Sequence, residues 1–323
     1  MSDVEILMFG PMTPLVQNGL EEKFTLHRLW QMDDKEGFLA ENADRIRGLA
    51  AGGHGKIDKG VIDRFPNLEI VGSFGVGYDS IDAAYAGKRN VVVTNTPDVL
   101  TDEVADTALA LTLMAVREFP AAERYLRAGK WLEKPYPLTK ATMTGRTMGI
   151  LGYGRIGKAI AKRAETFGLK IAYHGRNRQD DVSYPYFASL VEMAEAVDIL
   201  MIVVPGGAAT HHLVNADVLK ALGPQGIVIN IGRGTAIDEP ALIAALRNGD
   251  IQSAGLDVFE DEPNVPQALI DMEHVVLLPH VGSASIHTRD RMSQLVVDNL
   301  VSWFETGKAV TPVAETPAPT VDS

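Results

Sequence analysis

Short runs of aliphatic residues alternate with mixed stretches of helix length from one end of the chain to the other. The runs fall at 6–9, 46–51, 68–74 and 91–94, and again at 148–151, 170–173, 199–204, 227–231, 252–256 and 275–278. They are apolar at nearly every position rather than at alternate ones, which predicts strands buried on both faces of a parallel sheet. Strands that alternate with helices predict an α/β fold. No fixed repeat interrupts this rhythm, so a solenoid is excluded. The middle of the chain departs from it. Residues 101–127 read as one long helix, with Thr101 as N-cap, Asp102 and Glu103 in the first turn and Gly129 as the stop. Residues 130–145 then carry Trp131, Pro135, Tyr136 and Pro137 without periodicity. Such a segment is either a linker or an arm that packs on a partner subunit, and two large aromatics suit the arm better. The Pro/Thr-rich tail 311–323 predicts poor order.

Composition narrows the functional classes. The chain has 323 residues, with 30 Lys+Arg against 42 Asp+Glu, a formal charge of −12. That excess of acid argues against a nucleic-acid or anionic-membrane partner, since both need cations to neutralise phosphate. At roughly 100–200 residues per domain, the length suggests two domains. No apolar run reaches the ~18 residues of a membrane span; the nearest, 104–116, contains Asp106. The start Met1-Ser2-Asp3-Val4-Glu5 lacks the basic residues of a signal peptide. Cysteine is absent, which removes disulfides, thiolate metal sites and cysteine nucleophiles together. A cytoplasmic soluble enzyme is the default expectation.

Gly152-Tyr-Gly154-Arg155-Ile156-Gly157 is a G-x-G-x-x-G pattern with an apolar strand before it and an amphipathic helix, 155–167, after it. In that setting Gly152 makes the tight turn, Gly154 lets the backbone approach a pyrophosphate, and Gly157 lets helix and strand pack closely. The helix start, with Arg155 and Ile156, offers N–H groups to the phosphates. The residue that reads the adenosine ribose belongs about 20 residues on. An acid would bind a 2′-hydroxyl, but Arg176, Asn177 and Arg178 stand there, and no acid appears before Asp180. Guanidiniums suit a 2′-phosphate, so the expected cofactor is NADP(H).

Three further segments follow predicted strands: Asn230-Ile231-Gly232-Arg233-Gly234, Gly255-Leu256-Asp257 with Glu260, Asp261 and Glu262, and Pro279-His280-Val281-Gly282. Groups past the carboxyl ends of strands face the ligand crevice of an open α/β sheet. Arg233 suits a 2-keto acid, whose carboxylate and carbonyl one planar fork can bind. His280 suits the delivery of a proton to the alkoxide that a hydride leaves. A carboxylate at Glu262 would orient the imidazole and keep it protonated, and Asp261 is its competitor for that role. His54, in Gly52-Gly53-His54-Gly55, is a further candidate for touching substrate. The other histidines have no comparable setting. No metal site is expected, because the side chains of His211 and His212, being adjacent, diverge on a helix or strand.

Together with Gly72-Ser-Phe-Gly75-Val76-Gly77-Tyr-Asp79 and the stretch 94–106, these motifs resemble the D-isomer-specific 2-hydroxyacid dehydrogenase family over nearly the whole chain. The nearest likeness is to its glyoxylate/hydroxypyruvate and hydroxyphenylpyruvate reductases. The resemblance implies two doubly wound parallel-sheet domains. A Rossmann cofactor domain, 100–286, would be inserted into a flavodoxin-like substrate domain, 1–99 with 287–323. It implies a homodimer through the inserted domain, with the arm near 120–145. It puts the substrate arginine on Arg233, the catalytic acid on Glu262 and the proton donor on His280. Val76 and Gly77 would bind the substrate carboxylate, Asp257 would accept from the nicotinamide carboxamide, and Ile231 would join the cofactor contacts. The implied activity is NADPH-dependent reduction of small 2-keto acids. Phosphoglycerate, formate and D-lactate dehydrogenases are alternatives, as is, from another class, a nucleotide-sensing corepressor.

Overall fold

The computed structural model describes residues 3–52, 55–316 and 318–319. Two compact units divide the chain: residues 1–100 with 285–323, and residues 101–284. His54 lies outside the described residues.

In the first unit the strands are β1 (Glu5–Met8), β2 (Thr25–Arg28), β3 (Ile46–Ala51), β4 (Ile70–Ser73) and β5 (Val92–Thr94). The helices between them are α1 (Pro14–Lys23), α2 (Lys35–Asn42), α3 (Lys59–Arg64) and α4 (Ala83–Lys88). The sheet runs β2-β1-β3-β4-β5 with every pairing parallel, the flavodoxin-like order. Both faces are covered. Leu7, Leu49, Val71 and Val93 pack into one core with Ile62 and Ala86 of α3 and α4. Ile6, Met8, Ala50 and Ile70 point the other way, onto Val16 and Leu20 of α1 and onto Val296 and Leu300. The last two belong to the long C-terminal helix. Burial on both faces is why these strands carry no polar alternation.

In the second unit come α5 (Thr101–Arg117), α6 (Phe119–Arg127), β6 (Thr147–Leu151), α7 (Arg155–Thr166), β7 (Lys170–His174), β8 (Tyr186–Phe187) and α8 (Leu190–Ala196). They are followed by β9 (Ile199–Ile202), α9 (Ala216–Leu222), β10 (Ile227–Asn230), α10 (Glu239–Asn248), β11 (Ser253–Leu256), α11 (Gln267–Ile270) and β12 (Val276–Leu277). The chain then returns to the first unit with α12 (Ile286–Thr306). The seven-stranded parallel sheet is ordered β12-β11-β10-β9-β6-β7-β8. Its strand order reverses between β6 and β9, which is the switch point where dinucleotides bind in Rossmann sheets. Among the described residues no helix is long and apolar enough to cross a membrane.

Three expectations are corrected. The long helix over 101–127 is two helices, α5 and α6, broken at Glu118, whose φ is +53°. Pro120 stands in the first turn of α6; it lacks an N–H and its ring would clash with a continuous helix behind it. The tail is ordered over 308–316, while positions 317 and 320–323 of the expected segment lie outside the described residues. Val313 N–H donates to Val93 O at 2.9 Å, and the Thr316 hydroxyl accepts from Val93 N–H at 2.8 Å. The buried Asn299 side chain of α12 anchors it by accepting from Val310 and Thr311 N–H. A proline-rich segment needs only a few such contacts when a sheet edge is there to receive it. His211 and His212, the third, lie in a turn after β9 rather than on a helix or strand.

Candidate active site

The glycine turn expected to bind phosphate lies between β6 and α7. Gly152 has φ of +100°, and a Cβ there would sit 2.9 Å from Val203 O. A Cβ on Gly157 would come within 2.4 Å of Gly152 O, so α7 can approach the turn only through a glycine. Gly154 is different: a Cβ there would meet nothing of the protein within 4 Å. The space in front of Gly154, at the N-terminus of a 12-residue helix, suits an external anion, as a dinucleotide pyrophosphate requires. Arg155 is exposed and Ile156 half-buried at that helix start. Beyond β7, Arg176, Asn177 and Arg178 are all exposed, and among the described residues neither guanidinium has an ion-pair partner. Their loop is held from behind. Gln179 N–H donates to Tyr173 Oη at 2.9 Å, and Gln179 Nε2 donates to Tyr153 O at 2.7 Å.

The chemical groups lie on loops that follow β10, β11 and the short β12. His280 Nδ1 and Glu262 Oε2 are 2.7 Å apart, and an ionised carboxylate can only accept, so the imidazole donates through Nδ1. Glu262 Oε1 accepts from Phe259 N–H at 3.0 Å. Burial pushes the Glu262 carboxyl up, but the His280 hydrogen bond, the Phe259 N–H and the charges of His280 and Arg233 together hold it below its usual value. Asp261 turns away, its carboxylate accepting from Asn264 Nδ2 at 3.2 Å. His280 itself has φ of +52°. Asp257, 1 % exposed, holds that turn: its two oxygens accept from Val281 and Gly282 N–H at 2.7 and 2.8 Å. Burial raises the Asp257 carboxyl despite both donors.

Arg233 is positioned by its own turn. Asn230, wholly buried, donates from Nδ2 to Arg233 O at 2.9 Å and accepts from Gly232 N–H at 3.0 Å. A Cβ at Gly234 would fall 1.8 Å from the Phe259 carbonyl carbon, so only glycine lets the arginine turn press against the loop that carries Glu262. Arg233 Nη1 donates to Gly232 O at 2.9 Å. Ile231 is buried and donates from its N–H to Ile202 O. Asn230, Gln179 and Gly234 are supporting residues whose roles appear only in the fold. The Asn and Gly of Asn-x-Gly-Arg-Gly are visible signals; Gln179 has none.

In the first unit, Gly75 adopts φ of +143° after β4. Its N–H donates to Thr96 Oγ1, and Val76 O accepts from Asn95 Nδ2 at 2.8 Å. Among the described residues the N–H groups of Val76 and Gly77 have no protein acceptor. Two adjacent unsatisfied N–H groups in a glycine-containing turn suit a carboxylate. Next to them in sequence, Phe74 lines a cavity of about 350 Å³ in the same unit, with Phe9, Met12, Ile57 and Arg289 among its walls.

The third correction is that His211 and His212 do not diverge. They lie in a turn, neither helix nor strand, and His212 takes φ of +52°. Their rings stack at 3.8 Å between centroids. Nor is His280 alone in having a carboxylate partner: His212 Nε2 lies 2.8 Å from Glu260 Oε1, and His27 Nε2 lies 2.7 Å from Glu5 Oε2. Sequence spacing could not show these pairs, since each joins loops or strands distant along the chain.

Comparison with known proteins places this constellation. Residues 109–282 match the model of the D-isomer specific 2-hydroxyacid dehydrogenase, NAD binding domain. The chain is 44% identical over 313 residues to a glyoxylate/hydroxypyruvate reductase A of Arabidopsis thaliana, covering 97% of this chain and 100% of that one. It is equally similar, at 44% with the same coverage, to a hydroxyphenylpyruvate reductase of Plectranthus scutellarioides. Among solved structures, an NADPH-dependent glyoxylate/hydroxypyruvate reductase from Sinorhizobium meliloti, in complex with NADP and malonate, superposes with a TM-score of 0.93 at 51% identity over 100% of both chains. With that fold, that glycine turn and the Arg233, Glu262 and His280 loops, the chain belongs to the D-isomer-specific 2-hydroxyacid dehydrogenase family.

Proposed function

We propose that the protein is a cytoplasmic homodimeric reductase that uses NADPH to convert small 2-keto acids, above all glyoxylate and hydroxypyruvate, to 2-hydroxy acids. The observation that carries this reading is the 2.7 Å hydrogen bond between His280 Nδ1 and Glu262, with Arg233 close enough to stabilise the Glu262 charge. NADPH, when bound at the Gly152–Gly157 turn, supplies the hydride. Arg233 holds the substrate carboxylate and keto oxygen through its fork, and in the first unit the free N–H groups of Val76 and Gly77 are suited to a substrate carboxylate. His280, oriented through Nδ1, gives its Nε2 proton to the substrate oxygen as the carbonyl is reduced. Glu262 balances the imidazolium before that transfer and fixes the ring. Arg176, Asn177 and Arg178 take the 2′-phosphate, and Arg155 and Ile156 offer helix N–H groups to the pyrophosphate. Asp257, whose carboxylate oxygens retain lone pairs beyond the two N–H bonds, accepts from the carboxamide, and Ile231 packs on the cofactor.

Support for the dimer comes from the segment after α5. Phe119, Leu126, Trp131, Leu132 and Leu138 are all exposed in that short stretch, the kind of bared apolar surface that marks an interface.

A second reading, reduction of a bulkier acid such as hydroxyphenylpyruvate, is favoured by one observation. The cavity beside Phe74 lies at the bottom of the ~300–1,000 Å³ range of small-molecule pockets, and aromatic and aliphatic side chains make up most of its walls beside Arg289 and Thr13. Glyoxylate has no side chain to fill it. Following NADPH and NADH oxidation with glyoxylate, hydroxypyruvate and hydroxyphenylpyruvate tests both readings. Higher kcat/KM with NADPH and the small acids is expected. Preference for the aromatic acid favours the second reading, and no turnover with any of them, or preference for NADH, defeats the first.

A further inference from the structure

The stacked histidines have no part in the chemistry above, yet they meet a carboxylate on the loop that carries Glu262. His211 and His212 end the turn after β9, and Glu260 lies after β11, two residues before Glu262. One ligand atom from each of the three falls within 4.8 Å of the others. His212 adopts left-handed backbone, φ +52°, a conformation that a non-glycine residue holds only where its surroundings impose it. Its N–H donates to Thr235 O at 2.9 Å, which fixes that conformation. As a result its ring lies over that of His211, at 3.8 Å and 27° between planes. On regular helix or strand the two rings would face apart.

We propose that His211, His212 and Glu260 form a binding site for a divalent first-row transition ion, such as Zn²⁺ or Co²⁺, that ties the turn after β9 to the loop carrying Glu262. Two imidazoles with one carboxylate are donors that select such ions over Mg²⁺ and Ca²⁺. The ion takes the place of the proton now shared between His212 Nε2 and Glu260 Oε1. Those atoms are 2.8 Å apart, and cis ligands bonded at ~2.1 Å stand about 3 Å apart, so little movement is needed there. His211 is exposed and free to swing its ring edge toward the same point, and water completes the coordination. The local field favours a cation. Glu239 Oε2 accepts from Glu260 N–H at 3.4 Å, which sets a second carboxylate against the same loop. No residue assigned to catalysis above is a ligand.

The test is titration of the untagged, EDTA-treated chain with Co²⁺, read by visible d–d absorption, together with thermal melting with and without Zn²⁺. His211→Phe keeps the ring stack and removes a donor, while Glu260→Gln keeps the hydrogen-bond partner and removes the charge. The wild type should give a saturable 1:1 cobalt spectrum and a higher melting temperature with Zn²⁺. Each variant should lose at least tenfold in cobalt affinity, with circular dichroism and its metal-free melting temperature retained. A wild type without a saturable spectrum overturns the site, and so do variants that bind cobalt as the wild type does. If a variant is unfolded, the wild-type spectrum with the other variant decides.

Discussion

At the scale of single residues, the proposed chemistry rests on a side chain whose backbone is as constrained as its ring. His280 combines left-handed φ with an Nδ1 hydrogen bond to Glu262, while Asp257 clamps the next two N–H groups. His280→Ala should lower kcat for keto-acid reduction by ~10²–10⁴-fold, the contribution of a positioned general acid. The dissociation constant for NADPH should stay nearly the same, as fluorescence titration would report. Glu262 supplies a pH prediction. Its folded-state carboxyl is held below the ordinary value, so the ionised form is favoured by folding. That contribution is fully present above the unfolded carboxylate value, about 4.3, and is lost as pH falls through the folded one. Urea unfolding of the wild type and of Glu262→Gln should therefore differ more at pH 6 than at pH 3.5. A difference that is constant or grows on acidification would mean that the Glu262 charge is not what the fold stabilises. Arg176 and Arg178 are the residues proposed to take the cofactor's 2′-phosphate. Arg176→Asp with Arg178→Ala should raise KM for NADPH ten- to a hundredfold, since a charged hydrogen bond is worth about 1.5–3 kcal/mol, and should leave KM for NADH nearly unchanged.

At the scale of elements, the tail is the segment whose behaviour differs most from its composition. It crosses β5 and is tethered to α12 by one buried amide: Asn299 accepts from Val310 and Thr311 N–H and donates to Leu295 O and the Thr311 hydroxyl. The tail also supplies Glu315, which accepts from Tyr78 Oη at 2.9 Å. Burial first, then that carboxylate, push the Tyr78 hydroxyl up to about 12, so it remains a donor at any ordinary pH. Asn299→Ala strands two part-buried N–H groups and should destabilise the protein by about 2–6 kcal/mol, at ~1–3 kcal/mol for each unsatisfied group. Chemical denaturation measures this directly. Cleavage of the 308–319 segment by a nonspecific protease should speed up in the same variant.

At the scale of the whole molecule, the prediction concerns assembly. The apolar side chains around α6 stand in water in a single copy of the chain, with Leu132 and Leu138 94% and 97% exposed. Burying such side chains is worth roughly 1.5–3 kcal/mol each. Leu132→Asp with Leu138→Asp should therefore shift sedimentation from dimer to monomer without unfolding either unit. A monomeric wild type, or a variant that still sediments as a dimer, would put the interface elsewhere or remove it.

The alternation of apolar runs with helix-length stretches determined the α/β class, the parallel character of both sheets and the site of the glycine turn. Doubly buried strands and a helix-capping glycine loop are local patterns that a chain writes into consecutive residues. The two strands without such a run, β2 and β8, escaped notice because they lie at sheet edges and are only half-buried. Arg233, Glu262 and His280 stood out by type and by their places after strands. Only the folded loops decided that Glu262, and not Asp261, meets His280, since adjacent acids differ in direction rather than in chemistry. The break between α5 and α6 was legible in Pro120. The order of the tail was not, because it depends on Asn299 and on the free edge of β5. The approach of His211, His212 and Glu260 was equally hidden: it needs a positive φ at a histidine and two loops brought together by strands that pair through β10. Sequence determines what each segment can bury; which loops then become neighbours is decided by the order of strands in the sheet.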